Sequence, residues 1–157
     1  MIPAGNPWQK EGQLVATSAE RLEMCRLVTA GNPKIEVLDI EINRSGPTYS
    51  IDTVMELERI YPGTEFSLVV GTDALRNIQS WHRLDELIEK VEFLQLLRTG
   101  ETVKAEDLPS GIDVNIVQGA MLDISSTLIR EKVAKSEDVS ELIDSKILDL
   151  VKGIYGA

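Results

Sequence analysis

Apolar residues recur at helical spacing in five segments and at strand-like spacing in four, and the two kinds alternate along most of the chain. The predicted helices are 17–30, 50–61, 84–90, 126–134 and 145–155. The predicted strands are 34–42, 66–70, 91–97 and 112–117. Strands that alternate with helices are typical of a doubly wound α/β sheet, which binds ligands beyond the carboxyl ends of its strands.

Local signals predict where these elements begin and end. Thr17 and Glu20 have the spacing of a capping box, which predicts a helix start. Ser50 is predicted to cap the second helix, and Pro62 and Gly63 to end it. The strand at 66–70 is nearly all apolar, which predicts a sheet covered on both faces. The polar segment 99–111 is predicted to be a loop.

Composition and charge limit the classes of function. The chain has 157 residues, 43% of them hydrophobic, which suits a single domain over 1–157. Its net charge of −10 argues against non-specific binding to nucleic acid or anionic membrane, but local donors can still bind a nucleotide. There is no apolar run of the ~20 residues a membrane helix needs, and no signal-peptide pattern. The single cysteine, Cys25, cannot form an intramolecular disulfide, which fits a reducing compartment, and it is predicted to be a small core residue. We therefore expect a soluble cytoplasmic protein.

The segment 124–130 is the strongest local signal for chemistry. Ser125, Ser126 and Thr127 open a predicted helix, where free backbone N–H groups and the helix dipole favour an anion. Arg130 lies within about one turn of that end, where a cation costs roughly a few tenths of a kcal/mol unless it faces a phosphate. From these residues alone, a serine-capped helix with a solvated arginine remains the alternative.

Two further residues, Asp73 and Trp81, have two interpretations each. Gly71 directly follows a buried strand and allows close approach of the backbone to a ligand, while Asp73 suits either a ribose contact or a helix cap. Trp81 suits either a flat heterocycle or the core. His82, the only histidine, is interpreted as an exposed neighbour of Trp81. No zinc-type cluster and no Ser–His–Asp set is predicted.

Four stretches follow one another along the chain: I-P-A-G-N-P-W-Q-K at 2–10, G-P-T-Y-S-I-D-T at 46–53, G-T-D-A at 71–74 running on to Trp81, and I-S-S-T-L-I-R at 124–130. In this order and spacing they resemble bacterial nicotinate mononucleotide adenylyltransferase. The resemblance covers nearly the whole chain and implies a Rossmann-like nucleotidyltransferase sheet. It also implies transfer of AMP from ATP to nicotinate mononucleotide in NAD biosynthesis, with Mg²⁺ accompanying ATP.

The resemblance implies a role for each candidate residue. Those implied to bind ATP are Gly71, Asp73, Ser125, Ser126, Thr127, Arg130 and Lys10. Those implied to bind nicotinate mononucleotide are Tyr49, Ser50, Trp81 and Trp8, with Trp81 stacking on the nicotinate ring. For Trp8, a role in covering the sheet edge is the alternative. No metal ligand is implied, and the expected partners are the two small-molecule substrates.

The chain departs from the family pattern in three places. Ser50 stands where threonine is usual, and P-W-Q-K at 7–10 stands where P-P-H-K is common. The family's opening strand, its turn G-x-F-D-P-x-H-x-G-H and the following helix have no match, and His82 does not correspond to those histidines. No catalytic residue is therefore assigned. We expect the sequence to be a fragment or to have a start assigned too late, and the 157-residue form to lack adenylyltransferase activity.

Two alternatives to this function remain open. One is another adenylyltransferase of the superfamily, such as the phosphopantetheine enzyme, although Tyr49 and Trp81 favour a pyridine nucleotide. The other is a non-catalytic nucleotide-binding remnant that a partner stabilises. The sequence predicts neither the oligomeric state nor the preference between nicotinate and nicotinamide.

Overall fold

The computed structural model describes residues 1–6, 16–96, 108, 111–117 and 124–156. The helices are α1 (Ser18–Thr29), α2 (Ser50–Ile60), α3 (Thr72–Arg76), α4 (Leu84–Ile88), α5 (Ser126–Ala134) and α6 (Leu148–Tyr155). The strands are β1 (Phe66–Gly71), β2 (Val91–Leu96) and β3 (Val114–Val117). Short 3₁₀ turns lie at Ile78–Ser80 and at Ser145–Ile147. The predicted loop at 99–111 lies mostly outside the described residues.

The three strands confirm the predicted parallel α/β sheet. Their order is β1-β2-β3, and both pairs are parallel. Phe66 pairs with Val91 at the start of the sheet, and Gly71 pairs with Leu96 at its end. Leu96 in turn pairs with Val117. The carboxyl ends of all three strands therefore lie at one edge, where such sheets bind ligands.

One face of the sheet is covered and the other is open, so the prediction of cover on both faces is wrong for the described residues. Phe93 is buried, whereas Val69 and Leu96, on the opposite face, are 55% and 44% exposed. The covered face joins a core with residues of α2 and α4, such as Ile51 and Leu87. Helices α2 and α4 therefore cover the same single face of the sheet.

The predicted strand at 34–42 is wrong, since these residues form turns and chain without regular secondary structure. Two main-chain hydrogen bonds join this segment to the N-terminus. The Met1 amino group donates to the Glu36 carbonyl at 2.5 Å, and the Leu38 N–H donates to the Met1 carbonyl at 3.0 Å. An alternating pattern gives a strand only where a neighbouring strand continues the ladder, and no residue of 34–42 is part of a strand in the structure.

The chain divides into two compact units. The first unit comprises Met1–Thr48 and Ile124–Ala157, and the second unit comprises Tyr49–Asp123. The second unit is built on the sheet, and its buried core is Ile51, Val54, Val70, Leu75, Ile78, Leu87, Val91 and Phe93. A smaller buried cluster of the first unit is Val133, Val139 and Val151.

The capping box predicted for α1 is confirmed. The Glu20 N–H donates to the Thr17 Oγ1 at 3.2 Å, and the Thr17 N–H donates to the Glu20 carboxylate at 2.6 Å. The bond from the Thr17 N–H, together with one from the Thr17 hydroxyl, holds the pKa of the Glu20 carboxyl below its usual range, because both favour its charged form. A cap of this kind stabilises a helix by about 1 kcal/mol.

Candidate functional site

The turn after β1 opens toward solvent at the ligand-binding edge of the sheet. The chain passes from β1 into α3 at Gly71, which is the N-cap of that helix. A Cβ added at Gly71 would meet no atom of the described residues within 4 Å. Among the described residues, no neighbouring atom therefore requires a glycine here, and the free space is what the predicted close approach of a ligand needs.

A buried hydrogen bond ties the start of α3 to the central strand. Thr72 and Gln95 are each 2% exposed, and the Gln95 Nε2 donates to the Thr72 Oγ1 at 3.4 Å. Moving the turn at Gly71 would break this bond and leave a buried polar group without a partner, at a cost of about 1–3 kcal/mol. The pair therefore holds the turn in place. Sequence reasoning missed the pair, although a glutamine within the apolar strand 91–97 was a signal for it.

Asp73 lies in the first turn of α3 and points into solvent. Its side chain is 73% exposed, and its Oδ1 lies 3.7 Å from the Arg76 Nη1. Because Gly71 is the N-cap, the alternative in which Asp73 caps the helix is wrong. The ribose contact stays a prediction.

The start of α2 differs from the prediction by one residue. Tyr49 is the N-cap, with an extended backbone at φ −110° and ψ 140°, and no side chain forms a cap hydrogen bond. The Tyr49 carbonyl accepts from the Thr53 N–H at 3.2 Å, which makes Ser50 the first helical residue. The predicted cap at Ser50 is therefore wrong, while its predicted role in binding is untested.

The loop after the Ile78–Ser80 turn holds Trp81 and His82. Trp81 is half-buried against the core of the second unit, and its main-chain N–H donates to the Ile78 carbonyl at 2.9 Å. This position is compatible with both interpretations of Trp81. His82 is exposed, as predicted, but its ring stacks on the Tyr49 ring with centroids 4.2 Å apart and planes 29° apart.

Arg83 ends the same loop in a left-handed backbone conformation, with φ 51° and ψ 48°. Its guanidinium donates to both Glu86 carboxylate oxygens, at 2.7 and 2.5 Å, and to the Asp52 Oδ1 at 3.4 Å. The bonds between them raise the pKa of Arg83 and lower the pKa of Glu86. No sequence signal marks this arrangement, because only tertiary contacts hold an arginine in that conformation.

The start of α5 in the first unit has the predicted cap and arginine. Ser125 is the N-cap, and its Oγ accepts from the Leu128 N–H at 3.1 Å. The Arg130 Nη2 donates to the Thr127 Oγ1 at 3.2 Å, so both groups lie on one side of the helix start. Ser126, Thr127 and Arg130 are exposed. A guanidinium and open backbone N–H groups at one helix end are suited to an anion.

The N-terminal stretch lies beside the stretch that precedes Tyr49. The Thr48 N–H donates to the Asn6 carbonyl at 3.0 Å. Arg21 holds the same stretch, since its Nη2 donates to the Ala4 and Gly5 carbonyls at 2.5 and 3.0 Å. Asn6 and Thr48, one from each of the first two stretches that resemble the family, therefore meet within the first unit. Trp8 and Lys10 lie outside the described residues, and their roles stay predictions.

Other candidate chemistry is limited in the part of the chain that the structure describes. There, no group of three or more His, Cys, Asp or Glu side chains is placed to hold a metal ion. None of the helices described has the length and apolar character needed to cross a membrane. Cys25 is half-buried, short of the core position predicted, and burial raises the pKa of its thiol.

Sequence comparisons relate the chain to known proteins. The cytidylyltransferase-like family model matches residues 1–132. A protein of Saccharopolyspora erythraea named "Probable nicotinate-nucleotide adenylyltransferase" is 38% identical over 98% of this chain and 73% of its own length. A protein of the same name from Geobacillus thermodenitrificans is 36% identical over 99% of this chain and 71% of its own.

Structure comparison finds the same fold in an experimentally solved protein. The nicotinic acid mononucleotide adenylyltransferase of Plasmodium falciparum, complexed with NaAD, superposes with a TM-score of 0.73 at 17% identity. The match covers 96% of this chain and 77% of the other. A second structure of that protein, complexed with APC, has a TM-score of 0.67 at 18% identity and covers 87% of this chain and 73% of the other. At such identities the likeness concerns the fold.

Proposed function

Because the chain belongs to the nicotinate-nucleotide adenylyltransferase family, within the cytidylyltransferase-like proteins, we propose that its reaction joins ATP to nicotinate mononucleotide. A phosphate oxygen of the mononucleotide attacks the α-phosphorus of ATP. The bond from that phosphorus to the oxygen bridging to the β-phosphate breaks, and pyrophosphate leaves. The second product is nicotinate adenine dinucleotide, an intermediate of NAD biosynthesis. The observation that supports this most is the identity with curated relatives of that name over nearly the whole chain.

In the second unit, the turn after β1 is proposed to bind adenosine. The open space at Gly71 lets the nucleotide approach the backbone, and the exposed Asp73 carboxylate accepts hydrogen bonds from ribose hydroxyls. The buried bond between Gln95 and Thr72 keeps this turn in place before the ligand arrives. Such preorganisation lowers the entropy cost of binding.

The pyridine end of the mononucleotide is proposed to bind at Trp81 and at the start of α2. The exposed part of the Trp81 ring offers a flat apolar surface to the nicotinate ring. Tyr49 and Ser50 lie at the first turn of α2, and the N-terminal end of a helix favours an anion such as the nicotinate carboxylate. Ser50 and Trp81 are thus assigned to the substrate, with Trp8 as a further candidate.

The start of α5 in the first unit is proposed to bind the phosphates of ATP. The N–H groups near Ser126 and Thr127 and the Arg130 guanidinium supply donors that strengthen as negative charge moves to the leaving pyrophosphate. Lys10 is proposed to act on the same phosphates. Mg²⁺ is proposed to enter with ATP, held by its phosphate oxygens.

Calorimetric titration with separate ligands tests the proposal. We expect nicotinate mononucleotide and Mg·ATP each to bind at one site, and phosphopantetheine not to bind. Binding of phosphopantetheine without nicotinate mononucleotide would favour the other adenylyltransferase and overturn this assignment.

Turnover is then assayed as pyrophosphate release matched by nicotinate adenine dinucleotide. The chain alone is compared with the chain joined to the G-x-F-D-P-x-H-x-G-H segment. The sequence holds one histidine, His82, and each missing transition-state donor costs about 10²–10³ in rate. We therefore expect substrate binding by both forms and detectable turnover from the second. Comparable turnover by the two forms would show that residues of this chain suffice for the chemistry.

A further inference from the structure

The loop that follows the Ile78–Ser80 turn is anchored by three consecutive side chains. Trp81 is half-buried against the core of the second unit, and His82 stacks on Tyr49. Arg83 bonds to Asp52 on α2, besides its bonds to Glu86. Two of these three anchors therefore reach the first turn of α2, which is where the pyridine nucleotide is proposed to bind.

The stack between His82 and Tyr49 uses one face of the tyrosine ring. Aromatic pairs have centroids about 4.5–7 Å apart, and the observed distance of 4.2 Å is already close. No pyridine ring fits between these two rings. On that face, Tyr49 is therefore occupied by His82, and the exposed surface of Trp81 is the remaining aromatic platform in this loop.

We propose that His82 is a positioning residue for the pyridine-binding site, and that Tyr49 acts chiefly by holding His82. The stack fixes the backbone immediately after Trp81 and so keeps the indole turned toward the substrate. Tyr49 is itself the N-cap of α2 and packs against the core, so the anchor is a rigid one. This inference rests on the proposed function, since it assigns the site to the pyridine end of the mononucleotide.

The expected effect follows from the strength of an aromatic pair. Loss of the stack lowers the fraction of molecules in which Trp81 is in place, and apparent affinity falls by that fraction. An aromatic pair is equivalent to a factor of about 2 to 12 in an equilibrium constant, from about 0.5–1.5 kcal/mol at 1.4 kcal/mol per tenfold. We expect this factor for nicotinate mononucleotide and no change for Mg·ATP.

The stack is tested first in the ligand-free protein, where His82 gives the only pair of histidine ring signals in the NMR spectrum. The Tyr49 ring current is expected to shift these signals upfield, and Tyr49→Leu to return them to ordinary positions. Gln79→Ala, which changes an exposed side chain two residues before Trp81, is the matched control and leaves them shifted. Signals at ordinary positions in the unaltered protein would overturn the inference, whatever the protein binds.

Calorimetry then connects the stack to the substrate through a double-mutant cycle. His82→Ala and Tyr49→Leu are each expected to weaken nicotinate mononucleotide binding by the factor above. The double variant is expected to bind no more weakly than the single variant with the lower affinity. His82→Phe, which can still stack, restores affinity to within about twofold. Additive losses, or equal losses for Mg·ATP, would overturn the positioning role. If the unaltered protein binds neither ligand, the proposed function fails and the positioning role fails with it, while the NMR result still reports the stack.

Discussion

Arg130→Ala separates a binding role of the arginine from a structural one. A structural role predicts that unfolding stability falls in this variant, whereas a binding role predicts that stability is kept while ATP affinity falls. Arg130 is exposed at the start of α5, and the helix cap, from Ser125 to Leu128, does not depend on it. Removing a cation from this end relieves its repulsion with the helix dipole, by about 0.3–1 kcal/mol at most. Alanine is also the best helix former. We therefore expect unfolding stability to stay equal or to rise slightly.

ATP binding is expected to weaken in the same variant. A hydrogen bond to a charged group contributes about 1.5–3 kcal/mol, which corresponds to about a 10- to 150-fold rise in Kd. In the described structure the Arg130 guanidinium is bonded to the Thr127 hydroxyl and not to a carboxylate, so a phosphate would not have to displace an ion pair. Calorimetric titration with Mg·ATP, alongside a thermal unfolding curve, measures both changes.

Lys132→Ala is the matched control for this experiment. It removes the same charge from the same helix, but the Lys132 Nζ is already bonded to Glu137 at 2.7 Å. Because this charge is already paired and the side chain is partly exposed, its loss should change ATP affinity by less than about twofold. Unchanged ATP affinity in Arg130→Ala would refute the phosphate assignment. Equal losses of ATP affinity in both variants would show an effect of net charge and not a contact between Arg130 and phosphate.

Three further predictions follow from the described contacts. Trp81→Ala is expected to cost about 1–3 kcal/mol of nicotinate mononucleotide binding with ATP affinity unchanged, and a collapsed melting temperature would instead make Trp81 a core residue. Gln95→Leu is expected to lower unfolding stability in denaturant by about 1–3 kcal/mol, because Thr72 loses its buried partner, and the added change Thr72→Val should recover part of it. Hydrogen bonds lower the pKa of Glu20, Glu86 and Glu137. The folded state therefore binds fewer protons than the unfolded state in acid. The melting temperature should fall as the pH drops below about 4.5 and through the lowered pKa values of these carboxyls in the folded state. A melting temperature that rises over this pH range would contradict the prediction.

Local chemistry explains which parts of the fold were predictable from sequence. The starts of α1 and α5 depend on side chains within one turn, Thr17 with Glu20 and Ser125 with Leu128, and both were predicted. The segment 34–42 has the pattern of a strand, but its outcome depends on what lies beside it. The start of α2 was predicted one residue too late for a related reason, since local rules allow either Tyr49 or Ser50 to cap the helix.

The candidate site divides in the same way. Motif residues such as Gly71 and Arg130 were identified because their chemistry is visible in the sequence around them. The contacts between His82 and Tyr49, and between Arg83 and Asp52, join residues about 30 positions apart. Such contacts form only when a helix and a loop fold against each other, and no local pattern encodes them.

The empty space beside Gly71 offers a way to alter binding without altering folding. The backbone there has φ −86° and ψ 167°, which any residue adopts, and an added methyl group meets no atom within 4 Å in the part of the chain that the structure describes. Gly71→Ala should therefore fold as well as the unaltered chain, or better by about 0.4–1 kcal/mol, because alanine restricts the unfolded state. A change in nucleotide affinity in this variant would then be a steric effect on the ligand alone. Larger side chains at the same position would form a graded series that measures how closely the ligand approaches the backbone.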